Sequence, residues 1–309
     1  METPIQTGNS SRSKQVVIAG ATGHLGSSIA RSILKQGASV TALVRKGSTN
    51  PNITGLRSLG VNILDVDFES STQLANACQG ASCVVSAMSG LRDVIVGLQT
   101  TLLNAAIAAG VPHFIPSDFS ADFTTLTYGN NRNLDFRKDF QSVADKAPIK
   151  VTSILNGMFM DLLTGQAPVI LFKPKKILYW GNKTQPLDFT TIANTAEYAA
   201  HAALDADAPR WLRIAGDVKT IEQLKIAATE ATGNKFSTLR PGGLGLLRIM
   251  MKITRALSPG KEEVFPPWQG MQYLHDMLSG GAKLSHLDNN RYPGVQWTSV
   301  KELLVSNQS

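Results

Sequence analysis

Between Val16 and Leu34 the chain reads VVIAGATGHLGSSIARSIL. An apolar, β-forming run meets three glycines set three residues apart, and apolar residues at helical spacing follow. A parallel strand that turns at once into a helix aims unpaired backbone N–H groups outward, and the helix dipole adds partial positive charge there. Such a turn binds phosphate. Gly20 permits the tight turn. Gly23 lets the backbone touch a pyrophosphate without a Cβ in the way. Gly26 lets helix and strand pack closely. The strand before and the helix after make this a dinucleotide site rather than a stray glycine triplet.

The second β-forming run ends VTALVRKGS. An NAD site carries an acidic residue at this strand end to take the ribose hydroxyls. Here the residues are Arg45 and Lys46, and no carboxylate falls between Thr41 and Asn52. A guanidinium matches the 2′-phosphate of NADP in charge and shape, so the expected cofactor is NADPH. The plainer alternative is a solvated basic pair. Asp67 and Phe68 close the third run as adenine contacts. Ser86 and Ala87 close the fourth with side chains small enough for the cofactor to lie close.

These residues need a scaffold, and the pattern supplies one. Strands are expected at Val16–Ala19, Ser39–Val44, Asn62–Val66, Cys83–Ala87, His113–Pro116 and Val151–Leu155. Helices are expected at Leu25–Lys35, Thr72–Cys78, Val94–Ala109 and Arg132–Lys146. β-Branched runs alternating with helices mean a parallel sheet covered on both faces. The fold class is α/β, a Rossmann doubly wound parallel sheet with a smaller C-terminal α/β lobe for substrate. The expected divisions are a disordered tail over 1–14, a nucleotide domain over 15–157 and a lobe over 158–309, with some lobe segments returning to the sheet. In the lobe, Thr220 caps a helix, Leu244–Leu257 is an apolar helix with basic interruptions, Pro266-Pro267 opens another, and Ser299–Glu302 is a capping box.

Composition excludes several classes. The chain has 309 residues, 43% hydrophobic and 17% charged, with net charge +7. No apolar run is long enough to span a bilayer. The basic residues form no stripe with interleaved aromatics, so neither a nucleic-acid nor a membrane partner is expected. The mild positive excess suits an anionic small ligand. Cys78 and Cys83 match no metal or redox spacing and read as buried hydrophobes in a reducing cytosol, which leaves the sequons at Asn52 and Asn182 without meaning. His113 and His275 are isolated and read as structural. No hydrolase elbow or metal motif occurs, and no metal is expected.

GATGHLG, VRKGS, AAIAAGVPHFIPSDFSADF, VTSILNGMF and WGNKTQPLDFTTIANTAEYAAHAAL together resemble the NmrA-like and isoflavone-reductase-like group of atypical short-chain dehydrogenases, over roughly residues 15–235. The resemblance implies NADPH across the strand C-termini and reduction of phenylpropanoid or related aromatic substrates. In the NmrA branch it implies dinucleotide binding as a redox sensor. An isomerase- or lyase-like step on the same fold is a third reading. Motif for motif, the resemblance places Thr22, His24 and Leu25 with the three glycines at the pyrophosphate. It places Ser117 at the fifth strand end, and Asn156, Gly157, Met158 and Phe159 beside the nicotinamide, the last two toward substrate.

Hydride transfer to a carbonyl or quinone-methide-like acceptor leaves an oxyanion that needs a positioned acid. The Tyr-x-x-x-Lys pair of short-chain dehydrogenases has its nearest approach at Tyr128-Gly-Asn-Asn-Arg132, a turn signal rather than a helix. The resemblance also implies a lysine early in the helix before the sixth strand. An ungapped count from Thr152 lands on Arg137, and a one-residue deletion gives Lys138. Phe136, Phe140, Val143 and Ala147 share the inward face, which turns Lys138 outward unless the helix begins near Asp139. Asp118, after the fifth strand, is the carboxylate that would orient substrate, act as base or cap a turn. Trp268, Met271, Gln272 and Tyr273 would line an aromatic pocket or a packing face between lobes.

Overall fold

The computed structural model describes residues 14–307. The expected tail, Lys14 apart, lies outside the described residues. The strands are β1 (Gln15–Ala19), β2 (Ser39–Arg45), β3 (Asn62–Val66), β4 (Cys83–Ser86), β5 (His113–Ile115), β6 (Lys150–Val151), β7 (Ser153–Leu155), β8 (Met158–Phe159), β9 (Ile170–Leu171), β10 (Lys176–Leu178), β11 (Leu187–Thr190), β12 (Trp211–Arg213), β13 (Asp217–Lys219) and β14 (Ser237–Leu239). The helices are α1 (His24–Lys35), α2 (Asn52–Ser58), α3 (Ser71–Cys78), α4 (Gln99–Ala108), α5 (Arg132–Ala144), α6 (Ile192–Leu204), α7 (Ile221–Thr232), α8 (Leu244–Leu257), α9 (Pro267–Leu278) and α10 (Val300–Ser306).

β1 to β6 form one sheet in the order β3-β2-β1-β4-β5-β6, every pair parallel. Both faces of this sheet are covered, which is why its strands are nearly continuous apolar runs. Val16, Ile18, Cys83 and Val85 pack on one side with Ile29 and Ile33 of α1 and the alanines of α6. Val17, Val84, Leu74, Leu102 and Phe140 pack on the other. Strand order reverses between β1 and β4, and ligands of open α/β sheets sit outside the strand C-termini at such a switch point.

The expected sixth strand is two. β6 pairs with β5, the chain turns through Thr152, whose N–H donates to Phe114 O at 3.0 Å, and β7 pairs with β12. Beyond it, β14-β10-β9 and β13-β11-β8 form two three-stranded sheets. α6 returns to pack on α1. Both capping boxes are formed, Thr220 with Gln223 and Ser299 with Glu302. The expected helix over 94–109 begins as a π-helical segment, Asp93–Leu98. Cys78 and Cys83 are both buried and unpaired, and burial pushes the Cys78 thiol up to about 11 and that of Cys83 higher still. Among the described residues no helix is long and apolar enough to cross a membrane, and no cluster of three metal-ligating side chains occurs.

His113 is buried on β5, with Nε2 2.9 Å from Thr152 Oγ1. Burial, with the Lys150 charge acting the same way, lowers its pKa from 6.5 to about 4. The native state therefore resists a proton that the unfolded chain accepts. Stability is fully present above pH 6.5 and is lost as pH falls toward 4, by about 3 kcal/mol for this group. Urea unfolding across that range is expected to fall less steeply for His113→Gln than for the natural chain. Parallel curves would contradict the assignment.

Candidate functional site

The glycine turn is built by contacts that exclude other residues at two positions. Gly20 has φ +82°, and a Cβ there would lie 2.5 Å from Ala87 O. A Cβ on Gly26 would strike the Gly20 carbonyl. Ala87 N–H donates to Ala19 O at 2.8 Å, so the turn is held against the end of β4. Gly23 is the exposed N-cap of α1. No side chain caps it, and the first turn of the helix contains no acidic residue. His24 is exposed, and Thr22 and Leu25 are half-buried. Asn52 Nδ2 donates to Thr22 O at 2.8 Å, so α2 braces the cradle. Gly20→Ala is expected to cost about 3 kcal/mol, combining backbone strain with overpacking. It should also abolish nucleotide binding. Urea melts and fluorescence titration check both effects, and a variant of natural stability would contradict the geometry.

Arg45 ends β2 and is exposed, as is Lys46. Among the described residues no ion pair engages either. Asp67 is also exposed, and its Oδ1 accepts from Glu69 N–H at 2.9 Å, so it shapes the turn after β3. Phe68, the other expected adenine contact, packs inward. It lies with Leu43, Leu74 and Met88, whose apolar surface it covers.

Three strand ends converge at the sheet's C-terminal edge. At β4, Ser86 is fully buried and its Oγ has no partner, with Ala87 half-buried beside it. After β5, Ser117 N–H donates to Gln99 Oε1 at 2.9 Å and Ser117 Oγ to Met88 O at 2.7 Å. At β7, Asn156 is fully buried with both amide atoms unpartnered, while its backbone is fixed through Ser120 O and Thr190 Oγ1. Gly157 (φ +68°) backs onto Asp188, and Met158 and Phe159 form half-buried β8. Buried polar atoms without partners are rare and costly. Ser86 carries one of them directly beside Ala87, against which the glycine turn is held.

Asp118 is 1% exposed. Its Oδ2 accepts from Ser153 Oγ at 2.6 Å, Ser153 Oγ accepts from Arg210 Nη1 at 2.7 Å, and Asp118 Oδ1 has no partner. Burial raises its pKa, against the Ser153 hydrogen bond and the charges of Arg137 and Arg210. Arg137, on α5, acts on this group through its charge. Its Nη1 donates to Asn133 O at 3.0 Å, its Nε is buried without a partner, and its charge also acts on Tyr273.

The condition set for Lys138 is not met. α5 begins at Arg132, capped by Asn131, so Lys138 lies in mid-helix rather than in a preceding turn. Nor is it fully exposed. It is half-buried, and its Nζ donates to Leu126 O in the loop that folds over α5. Tyr128 is 60% exposed in that loop, with its hydroxyl 3.3 Å from Asp139, which also pairs with Arg92. The neighbouring carboxylate pushes the phenol up, and the structure does not bring it to Asp118.

α9 is largely a buttress. Trp268 is buried, donates to Pro259 O at 3.0 Å and is sandwiched by the guanidinium groups of Arg132 and Arg255, each 4.7 Å from its ring. Gln272 Oε1 accepts from Arg132 N–H, and Met271 packs in the lobe core. Tyr273 stays half-buried against Leu134 and Leu155. Sequence reasoning missed Asn52 and Gln99 as parts of this edge, and it reached Arg137 only as the ungapped match to the implied lysine. For Gln99 the available signal was an amide on the buried face of an otherwise apolar helix.

The model of the NmrA-like family matches residues 12–238 of the chain. Pinoresinol reductase 1 of Arabidopsis thaliana is 28% identical over 221 residues, covering 66% of this chain and 69% of that protein. AtPrR2, solved with NADP+ and (+)-pinoresinol, superposes with a TM-score of 0.80 at 21% identity, over 96% of this chain and 99% of that one. A crystal structure of isoflavone reductase gives a TM-score of 0.80 at 19% identity, over 96% and 99%.

Proposed function

This chain belongs to the NmrA-like family, and from that premise we propose that it is an NADPH-dependent reductase of a small aromatic or conjugated substrate. The observation that carries the reading is one edge of the sheet. A glycine turn with an uncapped, acid-free helix N-terminus opens beside Arg45 on one side and the unpartnered Ser86 and Asn156 on the other. The cofactor matches that edge in charge along its length, and when bound it supplies a hydride equivalent.

The chain's own residues then have distinct work. The N–H groups of the α1 N-terminus hold the pyrophosphate. Arg45, helped by Lys46, takes the 2′-phosphate. The Ser86 hydroxyl and the Asn156 amide satisfy polar atoms at the nicotinamide end, where Ser117 and Gly157 complete the wall. Arg137 offers positive charge to an oxygen that becomes anionic as the acceptor is reduced. An arginine stays protonated and is no proton donor, so the proton comes from Tyr273 or from water. Asp118 is held through Ser153 to Arg210. Met158, Phe159 and Tyr273 offer apolar surface for an aromatic ring. The names of the pinoresinol reductases and isoflavone reductase support a phenolic substrate class.

The test is loss of 340 nm absorbance when the protein and NADPH are mixed with phenylpropanoid, lignan and quinone acceptors. Turnover of at least one aromatic acceptor is expected. Binding of NADPH with no oxidation across the panel would contradict the proposal.

A further inference from the structure

α8 stands proud of the lobe, and of its residues only Leu247 is fully buried. Its inner side packs on α9. Leu246, Ile249, Ile253 and Leu257 are 41, 55, 54 and 82% exposed. Spaced by three, four and four residues, they form one outward stripe. Arg248, Lys252 and Arg255 are exposed on the neighbouring face, about 140° round the axis, Arg248 with its Nε donating to His275 Nε2 at 2.9 Å and Arg255 with its guanidinium 4.7 Å from the Trp268 ring. The bias extends beyond the helix. From Ala231 to Lys261 the chain contains no acidic residue and six cations, Lys235, Arg240, Arg248, Lys252, Arg255 and Lys261, against a net charge of +7 for the whole chain. Among the described residues none of the six pairs with a carboxylate within 4.0 Å.

Apolar side chains this exposed, on a helix this regular, need an occupant. A second copy meeting this face about a two-fold axis would set cations against cations. We propose that α8 docks on an anionic lipid surface. The apolar stripe sinks to the headgroup–acyl boundary, and Lys252 with the Nη groups of Arg248 reaches lipid phosphates, while Arg255 stays on the Trp268 ring. This is a peripheral contact. It departs from the expectation of no membrane partner, which rested on the lack of a spanning segment and of a basic stripe.

The test is co-sedimentation of the full chain, loaded with NADPH, with vesicles of phosphatidylcholine alone or mixed with phosphatidylserine. Sedimentation is expected with the mixed vesicles, with partitioning about tenfold weaker at high salt as the headgroup attraction is screened. The Ile249→Glu/Ile253→Glu variant should lose partitioning by about tenfold or more while binding NADPH as before, which reports an intact fold. Three results would overturn the proposal: no sedimentation with phosphatidylserine vesicles, sedimentation that the double variant leaves unchanged, or a concentration-dependent dimer in solution that the double variant dissolves.

Discussion

Arg45→Asp is expected to invert the cofactor preference, weakening NADPH binding by about a hundredfold and leaving NADH the tighter ligand. The natural residue sits at the end of β2, exposed and without an ion-pair partner among the described residues. It is available to a dianionic 2′-phosphate with no internal pair to break first. Charge-assisted, bidentate hydrogen bonds are the strong ones, and a carboxylate in the same place both removes them and repels the phosphate. A carboxylate also accepts the two ribose hydroxyls of NADH. Lys46 remains, so NADPH binding weakens rather than vanishes. Calorimetric titration of both cofactors against both proteins reads the change directly. An unchanged ratio would mean that the basic pair is merely solvated and that the phosphate is held elsewhere.

Arg137→Ala is expected to lower kcat by about a hundredfold with little change in NADPH affinity, whereas Lys138→Ala should stay within about threefold of the natural enzyme. The scale is that of removing one group aimed at charge developing in the transition state. The reason for choosing between adjacent residues is geometric. Lys138 Nζ is committed to Leu126 O under the covering loop. Arg137 has a buried Nε without a partner, and its charge acts on Asp118 and Tyr273. Arg137→Lys should recover part of the rate, since charge is retained while the fork is lost. A merely structural role would instead lower kcat and thermal stability together and would not respond to that rescue. Loss of turnover in Lys138→Ala, with Arg137→Ala active, would reverse the assignment.

What the sequence revealed follows the range of the forces involved. The turn at Gly20–Gly26 and the parallel sheet were legible because strand, turn and helix signals are local and the β-branched runs mark burial on both faces. The capping boxes at Thr220 and Ser299 were legible for the same reason. α2 and the two- and three-residue strands β8 and β13 were not, because such short elements are fixed by their neighbours rather than by periodicity. The start of α5 at Arg132 was legible, but the partners of its cap were not: Asn131 accepts from Leu134 N–H, and its side chain is also held by Gln269 and Asp276. No local pattern reports a partner 138 or 145 residues away. Trp268 illustrates the same limit. Its helix position allowed a pocket or a packing face, and the choice depends on two guanidinium groups from separate elements that lie against its ring. The Lys138 question turned on a loop, residues 119–131, whose path over α5 is a tertiary fact.

The claim at the centre of this account is that the chain moves a hydride from NADPH to an aromatic acceptor at the C-terminal edge of its sheet. Single-turnover reaction with NADPH deuterated on one or the other face of C4, followed by mass spectrometry of the product, tests it most directly. The account predicts deuterium in the product from one face only, at a carbon of the acceptor, with matching loss of label from the cofactor. Label retained on NADPH from both faces, in protein that binds the cofactor tightly in the presence of the full acceptor panel, would contradict it.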